Sequence, residues 1–89
     1  MQEIKFSNLE AFCDDPALPS EVKAILAPDN EKGFGLVVSV GTTKRRVVSA
    51  QRRPLYFRTI EIALARLIDV PNLSRQIVLD VSRVPAGTL

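Results

Sequence analysis

The strongest periodic pattern of apolar positions in the chain falls between residues 59 and 69. Apolar residues recur there at the spacing of one helix face: Ile60, Ala63, Leu64, Leu67 and Ile68. Thr59 is a suitable N-cap, and Pro71 disfavours helical backbone at the residue before it. Three more apolar residues widen the stripe: Ile62, Ala65 and Val70. The sequence therefore predicts one main, largely buried helix over 59–69, with Phe57 buried beneath it.

Alternating apolar and polar positions predict a β-hairpin before this helix. The residues that share one face of its first strand are Phe34, Leu36, Val38 and Val40. Residues 41–44 are the predicted connection, and residues 45–51 return as a strand rich in β-branched side chains. Pro54 cannot donate to a strand ladder. Residues 55–57 are therefore either a third strand or the continuation of the second.

The flanking segments carry shorter signals. Residues 3–6 alternate and predict a short strand, and residues 9–12 follow the capping pair Ser7-Asn8 as a helical turn. Ser20 is a good N-cap, so a helix is predicted over 21–27. Residues 28–33 have the composition of a turn, and residues 76–82 alternate as a half-buried strand.

These elements predict an α+β domain of residues 1–89. Its small antiparallel sheet combines the hairpin of residues 34–58 with the C-terminal strand of 76–82. The main helix over 59–69 packs on one face, and short helices lie near the N-terminus. Residues 84–89 contain a proline and a glycine and predict a flexible tail.

Composition favours a cytoplasmic protein without a membrane partner. Apolar residues make up 46% of the chain, but no uninterrupted apolar run approaches the ~20 residues that span a bilayer. The N-terminus lacks the basic start and apolar core of a secretory signal. Cys13 is the only cysteine, which excludes an intrachain disulfide. We expect it to be a small buried apolar residue whose thiol pKa is raised by the neighbouring Asp14 and Asp15.

The formal net charge of +2 conceals an asymmetry between the two parts of the chain. Residues 1–34 hold three lysines and seven carboxylates, a charge of −4. Residues 35–89 hold nine basic residues, eight of them arginine, and three carboxylates, a charge of +6. This asymmetry indicates either that the two parts complement each other or that a basic face meets an anionic partner.

Catalytic and cofactor-binding patterns are missing from the sequence. The chain has no histidine, and no serine stands in a G-x-S-x-G context. Gly41 is followed by Thr42-Thr43-Lys44, which is not a phosphate-binding loop. The sequence therefore predicts a non-enzymatic protein without a metal ion or cofactor.

Basic residues at the predicted strand ends are the one functional signal. The candidate binding residues are Lys44, Arg45, Arg46, Arg52, Arg53, Arg58 and Tyr56. Arginine favours bidentate contacts with phosphate or carboxylate, and a tyrosine can stack on a base. Three interpretations stay open: a solvated surface that balances the acidic part, a contact with nucleic-acid phosphates, or a contact with an acidic protein.

The segment Phe57-Arg58-Thr59-Ile60-Glu61-Ile62-Ala63-Leu64 resembles a pattern in ParC-family partition-associated proteins of plasmids and integrative elements. These proteins are unrelated to the topoisomerase subunit of that name. The resemblance extends to Ile4–Glu10 and to Leu18-Pro19, whereas the turn Arg52-Arg53-Pro54 lacks the glycine of the family pattern. It implies a non-enzymatic accessory role beside a partition ATPase and a DNA-binding partner. The alternatives are a direct DNA-binding module that uses the sheet and its arginine-rich turns, and a structural homodimer joined through a strand edge.

Overall fold

A computed structural model describes residues 2–82 of the chain. Within them the elements are β1 (Gln2–Lys5), a 3₁₀ turn (Phe6–Asn8), α1 (Leu9–Cys13), β2 (Lys23–Asp29), β3 (Gly33–Val40), β4 (Thr43–Val48), β5 (Tyr56–Phe57), α2 (Ile60–Leu67) and β6 (Val78–Leu79). The six strands form one sheet, which confirms the predicted α+β class. The predicted tail over 84–89 lies outside the described residues.

The sheet is mixed, whereas the sequence predicted a small antiparallel sheet. Its strand order is β1-β4-β3-β2-β6, with β5 also paired to β3. The central strand β3 runs antiparallel to β2, β4 and β5, whereas β1 is parallel to β4 and β6 is parallel to β2. Long segments with helices or whole hairpins separate each parallel strand from its partner, which allows the crossover that parallel pairing requires.

The predicted helix over 21–27 is wrong, because these residues belong largely to β2. Strand β2 pairs with β3 from Lys23 opposite Ser39 to Asp29 opposite Gly33. The apolar residues of this segment fit either a helix face or a strand alternation, an ambiguity common in short apolar runs. Continuous pairing with β3 decides in favour of the strand, and Pro28 also restricts Ala27 to extended backbone.

Strands β4 and β5 lie one after the other along the same edge of β3. Arg46 of β4 is opposite Val37, and Tyr56 of β5 is opposite Gly35. Between the two strands the chain leaves β3 and forms a small hairpin, closed by a hydrogen bond from the Ser49 amide to the Arg53 carbonyl of 2.8 Å. Strand β5 therefore continues along the same edge of β3 as β4. The intervening residues 49–55 are here called the hairpin excursion.

The turn between β3 and β4 is shorter than predicted. Val40 pairs with Thr43, which leaves the two-residue connection Gly41-Thr42. Gly41 has φ of 59°, a left-handed conformation that costs glycine little. Glycine at the first central position is the pattern of a type II′ hairpin turn.

One face of the sheet carries the hydrophobic core. Its buried strand residues are Ala24, Leu26, Leu36, Val38, Val40 and Val47. They pack with residues contributed by both α-helices and the adjoining segments: Leu9, Cys13, Phe57, Ala63, Leu67 and Leu73. Phe57 is 5% exposed, as the sequence predicts.

Helix α2 is less buried than the apolar stripe predicts. Only Ala63 and Leu67, one turn apart, are buried, whereas Ile62, Leu64 and Ile68 are 47%, 41% and 65% exposed. A helix of two turns contacts the sheet along one narrow seam, so a wide stripe cannot be covered. The Thr59 cap is confirmed, because its hydroxyl accepts a hydrogen bond from the Ile62 amide at 3.2 Å.

Cys13 is buried, and its thiol pKa is raised, as expected. The cause is burial, which disfavours the thiolate, and not the neighbouring carboxylates that the sequence suggested. No helix within the described part of the chain is long and apolar enough to cross a membrane.

Candidate nucleic-acid interface

The face of the sheet opposite the core is here called the open face. Cross-strand partners in a sheet lie on the same face. The register therefore assigns these side chains to it: Glu3, Lys5, Lys23, Ile25, Ala27, Asp29, Val37, Ser39, Lys44, Arg46, Val48, Tyr56 and Val78. Among them Val48 is buried, at 1% exposure. Residues of both α-helices belong to the core cluster on the other side. Within residues 2–82, no helix covers the open face.

Side chains of the open face form rows across the central strand β3. One row joins Lys44, Ser39 and Lys23. The next row begins at Glu3 of β1 and runs through Arg46, Val37 and Ile25 to Val78. A third row consists of Tyr56, Gly35 and Ala27. The face thus has an apolar centre, a basic end and one aromatic ring at the other end.

Cations outnumber carboxylates on this surface. Four basic residues belong to the open face: Lys5, Lys23, Lys44 and Arg46. Lys32 joins them from the β2–β3 turn, with its Nζ 5.3 Å from the centroid of the Tyr56 ring. In the described part of the chain none of these five cations forms an ion pair with a carboxylate. Glu3 is opposite Arg46 in the register and lines the same pocket as Lys5, so it offsets part of this charge without forming an ion pair. The net charge of the surface stays positive.

The carboxylate of Asp29 is engaged within its own turn. It accepts hydrogen bonds from the backbone amides of Glu31 at 2.9 Å and Lys32 at 3.0 Å. These bonds lower the pKa of Asp29. They also order the turn from which Lys32 reaches the Tyr56 ring.

The basic run Lys44-Arg45-Arg46 is divided between the two faces of the sheet. Lys44 and Arg46 lie on the open face together with Tyr56. Arg45 lies on the core side, where its guanidinium is 5.1 Å from the centroid of the Phe12 ring. Its Nε is buried and has no hydrogen-bond partner within residues 2–82. Arg45 is therefore a packing residue of the helix-bearing face.

The remaining candidate arginines lie outside the strand register of the open face. Arg52 and Arg53 are exposed in the hairpin excursion between β4 and β5, and Arg58 is exposed just before α2. Arg52 has φ of 62° and lines a shallow pocket of about 250 Å³ together with Lys5 and Asn8. This pocket brings Arg52 to the β1 end of the open face.

Sequence reasoning missed three cations of this surface. A helix over 21–27 would not place Lys23 on the sheet. The alternation of Val22, Ala24 and Leu26 with the residues between them is the signal for a strand that would have done so. Lys5 lies in a correctly predicted strand, but the partner of that strand was unknown. Nothing in the sequence indicates that Lys32 contacts Tyr56, because that contact depends on the pairing of β3 with β5.

Comparisons with family models, with curated proteins and with solved structures found no match to this chain.

Proposed function

We propose that this chain is a non-enzymatic binding module whose open face contacts the phosphates of a nucleic acid. The observation that supports the proposal is the presence of five cations on and beside one sheet face, where the register places only two carboxylates, Glu3 and Asp29. Among residues 2–82 none of the five cations forms an ion pair with a carboxylate. Strand pairing fixes the backbone positions of four of them: Lys5, Lys23, Lys44 and Arg46. Cations held in this way match a regular polyanion without a large ordering cost.

Charge distribution also argues against the interpretation of the basic residues as balance for the acidic part of the chain. Such balance would pair the arginines of the open face and its turns with carboxylates. Glu3 is opposite Arg46 in the register, but the two side chains do not form an ion pair. Arg45 instead contacts Phe12, and Arg66 contacts Phe6 with its guanidinium 5.0 Å from the ring centroid. The remaining basic side chains are left for solvent or for a partner.

The resemblance to ParC-family proteins supports a biological setting for this activity. A module of this kind would act beside a partition ATPase in the maintenance of a plasmid or integrative element. Its contribution would be a contact with the nucleic acid or with the partner that holds it.

Fluorescence anisotropy with a labelled oligonucleotide tests the proposal. We expect binding of the full chain at low salt, weakening as salt rises in proportion to the number of phosphates neutralised. The double variant Lys44→Ser/Arg46→Ser should reduce the magnitude of the salt slope by about two. The control Arg45→Ser/Arg66→Ser removes the same charge from the helix-bearing side, where these arginines contact Phe12 and Phe6, and should leave the slope unchanged. The proposal fails if no oligonucleotide, single- or double-stranded, binds at low salt, or if both double variants behave alike.

An acidic protein surface is the second candidate partner, and the apolar row of the open face favours it. Val37 and Ile25 lie at its centre, and Val78 is 45% exposed at its end. A protein partner would bury this row, so Val37→Asp should abolish its binding. Titration with the partition ATPase of the same genetic element would test this candidate. Loss of binding in Val37→Asp with retained binding in Lys44→Ser/Arg46→Ser would favour a protein over a nucleic acid.

A further inference from the structure

We infer that the open face takes a single strand of nucleic acid, with Tyr56 as the platform on which a base stacks. This inference rests on the proposed function and specifies its ligand. Three features of the open face support this inference: the position of the Tyr56 ring, the row of cations beside the ring, and the width of the sheet.

The Tyr56 ring leans over its cross-strand neighbour. A Cβ atom on Gly35 would lie 3.3 Å from Tyr56 Cε1 and 3.7 Å from its Cδ1. The ring therefore occupies the space that a side chain at position 35 would need. The next residue of the row, Ala27, is also small. A ring in this position presents one face outward, where the Lys32 ammonium lies 5.3 Å from its centroid. A base that stacks on the ring would take the place of this ammonium, and Lys32, on its flexible stem, would then contact the phosphate of the same nucleotide.

Cations continue from this ring in a straight line. Tyr56, Arg46 and Lys44 are opposite Gly35, Val37 and Ser39, which are alternate residues of β3. Alternate residues of a strand are about 7 Å apart, so the ring and the two cations are evenly spaced along one edge of β3. A stacking platform followed by a basic track is the arrangement that binds single strands without reading base edges.

The width of the sheet disfavours a duplex. Five strands lie side by side, which separates the outermost strands by roughly 19 Å. The major groove of B-DNA is about 12 Å wide and admits a helix or a two-stranded ribbon. The open face therefore cannot enter the groove, whereas the bases of a single strand can leave their stack and lie on the sheet.

Intrinsic tyrosine fluorescence tests this inference directly, because Tyr56 is the only tyrosine and the chain has no tryptophan. The probes are oligothymidylate, oligouridylate and a DNA duplex of the same length, each titrated into the full chain at low salt. We expect both single strands, or one of them, to bind at least tenfold more tightly than the duplex and to quench the fluorescence. The two single strands differ in the 2′-hydroxyl and in the 5-methyl group of the base, so equal affinities would show that neither group affects binding.

Substitution at position 56 separates stacking from charge. Tyr56→Leu should weaken single-strand binding by about 5- to 150-fold, whereas Tyr56→Phe keeps the ring and should bind within about threefold of the parent. Circular dichroism and thermal melting verify that both variants fold. Duplex binding equal to single-strand binding with unchanged fluorescence would overturn the inference and leave the proposed function standing. Absence of binding to all three probes would overturn both.

Discussion

The guanidinium of Arg45 lies 5.1 Å from the centroid of the Phe12 ring and joins strand β4 to helix α1. Its neighbour Arg46 projects from the other face of the sheet, opposite Val37. Two adjacent arginines of one basic run therefore have different roles. Arg45 contributes to packing between the sheet and a helix, and Arg46 belongs to the surface proposed to bind phosphate.

Substitution of these two arginines should separate stability from binding. Arg45→Ala removes a cation–π contact and the packing of the aliphatic stem, and we expect it to lower the free energy of unfolding by about 1 kcal/mol. Arg46→Ala should change stability by less than that and weaken nucleic-acid binding. Urea denaturation and anisotropy measure the two effects. Equal losses of affinity in the two variants would contradict the division of the run.

Phe57 provides a test of the corner between β5 and α2. Phe57 is 5% exposed and packs with Ala63 and Leu67 in the core, so Phe57→Ala should cost roughly 3–5 kcal/mol. Ile62 of α2 is 47% exposed, and Ile62→Ala should stay within about 0.5 kcal/mol of the parent. Chemical denaturation of both variants makes the comparison. A cost below about 1 kcal/mol for Phe57→Ala would show that the corner is packed differently.

Arg52 adopts a backbone conformation that costs glycine less than it costs other residues. Its φ is 62°, and a left-handed conformation costs an L-residue roughly 1–2 kcal/mol. Glycine would remove this cost. It would also increase the conformational entropy of the unfolded chain, which lowers the free energy of unfolding by about 0.4–1 kcal/mol. We therefore expect Arg52→Gly to raise the free energy of unfolding by about 0.5 kcal/mol.

The neighbouring Arg53 serves as the control, because its φ is not positive. Arg53→Gly should destabilise the fold by roughly 0.5–1 kcal/mol. Denaturation midpoints compare the two variants. A result in which Arg52→Gly is the less stable of the two would mean that the arginine side chain stabilises the turn. The arginine side chain also adds a cation to the pocket that Glu3 and Lys5 line.

The β2–β3 turn should confer a pH dependence on stability. Hydrogen bonds from the amides of Glu31 and Lys32 lower the pKa of Asp29 in the folded state. The carboxylate therefore contributes stability above its unfolded pKa, and this contribution is lost as the pH falls through the lower folded value. We expect the parent to be more stable than Asp29→Ala at neutral pH, with a difference that shrinks below about pH 4. Thermal melts from pH 7 to pH 2 follow it, and a difference independent of pH would contradict the role of the carboxylate.

Strand edges support the homodimer alternative, which stays a prediction. Within the described residues β1 and β6 are the outer strands of the sheet, and each is paired on one side only. An antiparallel contact between two β1 edges would extend the sheet across two chains. Sedimentation at micromolar concentration should then show twice the monomer mass of 9.8 kDa. A single species at the monomer mass would rule out this dimer under those conditions.

The sequence predicted correctly those elements that depend only on neighbouring residues. The hairpin strand from Phe34 to Val40 and the Thr59 cap needed no information from distant residues. The segment 21–27 was misassigned because its apolar spacing fits two periods and only pairing with β3 distinguishes them. The open face could not be assembled from the sequence for the same reason, since Lys5, Lys23 and Tyr56 meet through strand pairing. Arg45 and Arg46 are neighbours in the sequence, which suggests one basic cluster. Successive side chains of a strand point to opposite faces, so the two arginines lie on different sides of the sheet.

The interruption between β4 and β5 has a consequence for how this fold can vary. Phe57 is opposite Phe34 and Tyr56 is opposite Gly35, so the register of β5 depends on β3 and not on the length of the excursion before it. Residues can therefore be inserted or deleted at the tip of the excursion without moving the Tyr56 ring or the entrance to α2. Chains that share this fold could exchange the tip for others of different length and charge. The length and charge of the excursion can thus change while the core and the Tyr56 ring keep their positions.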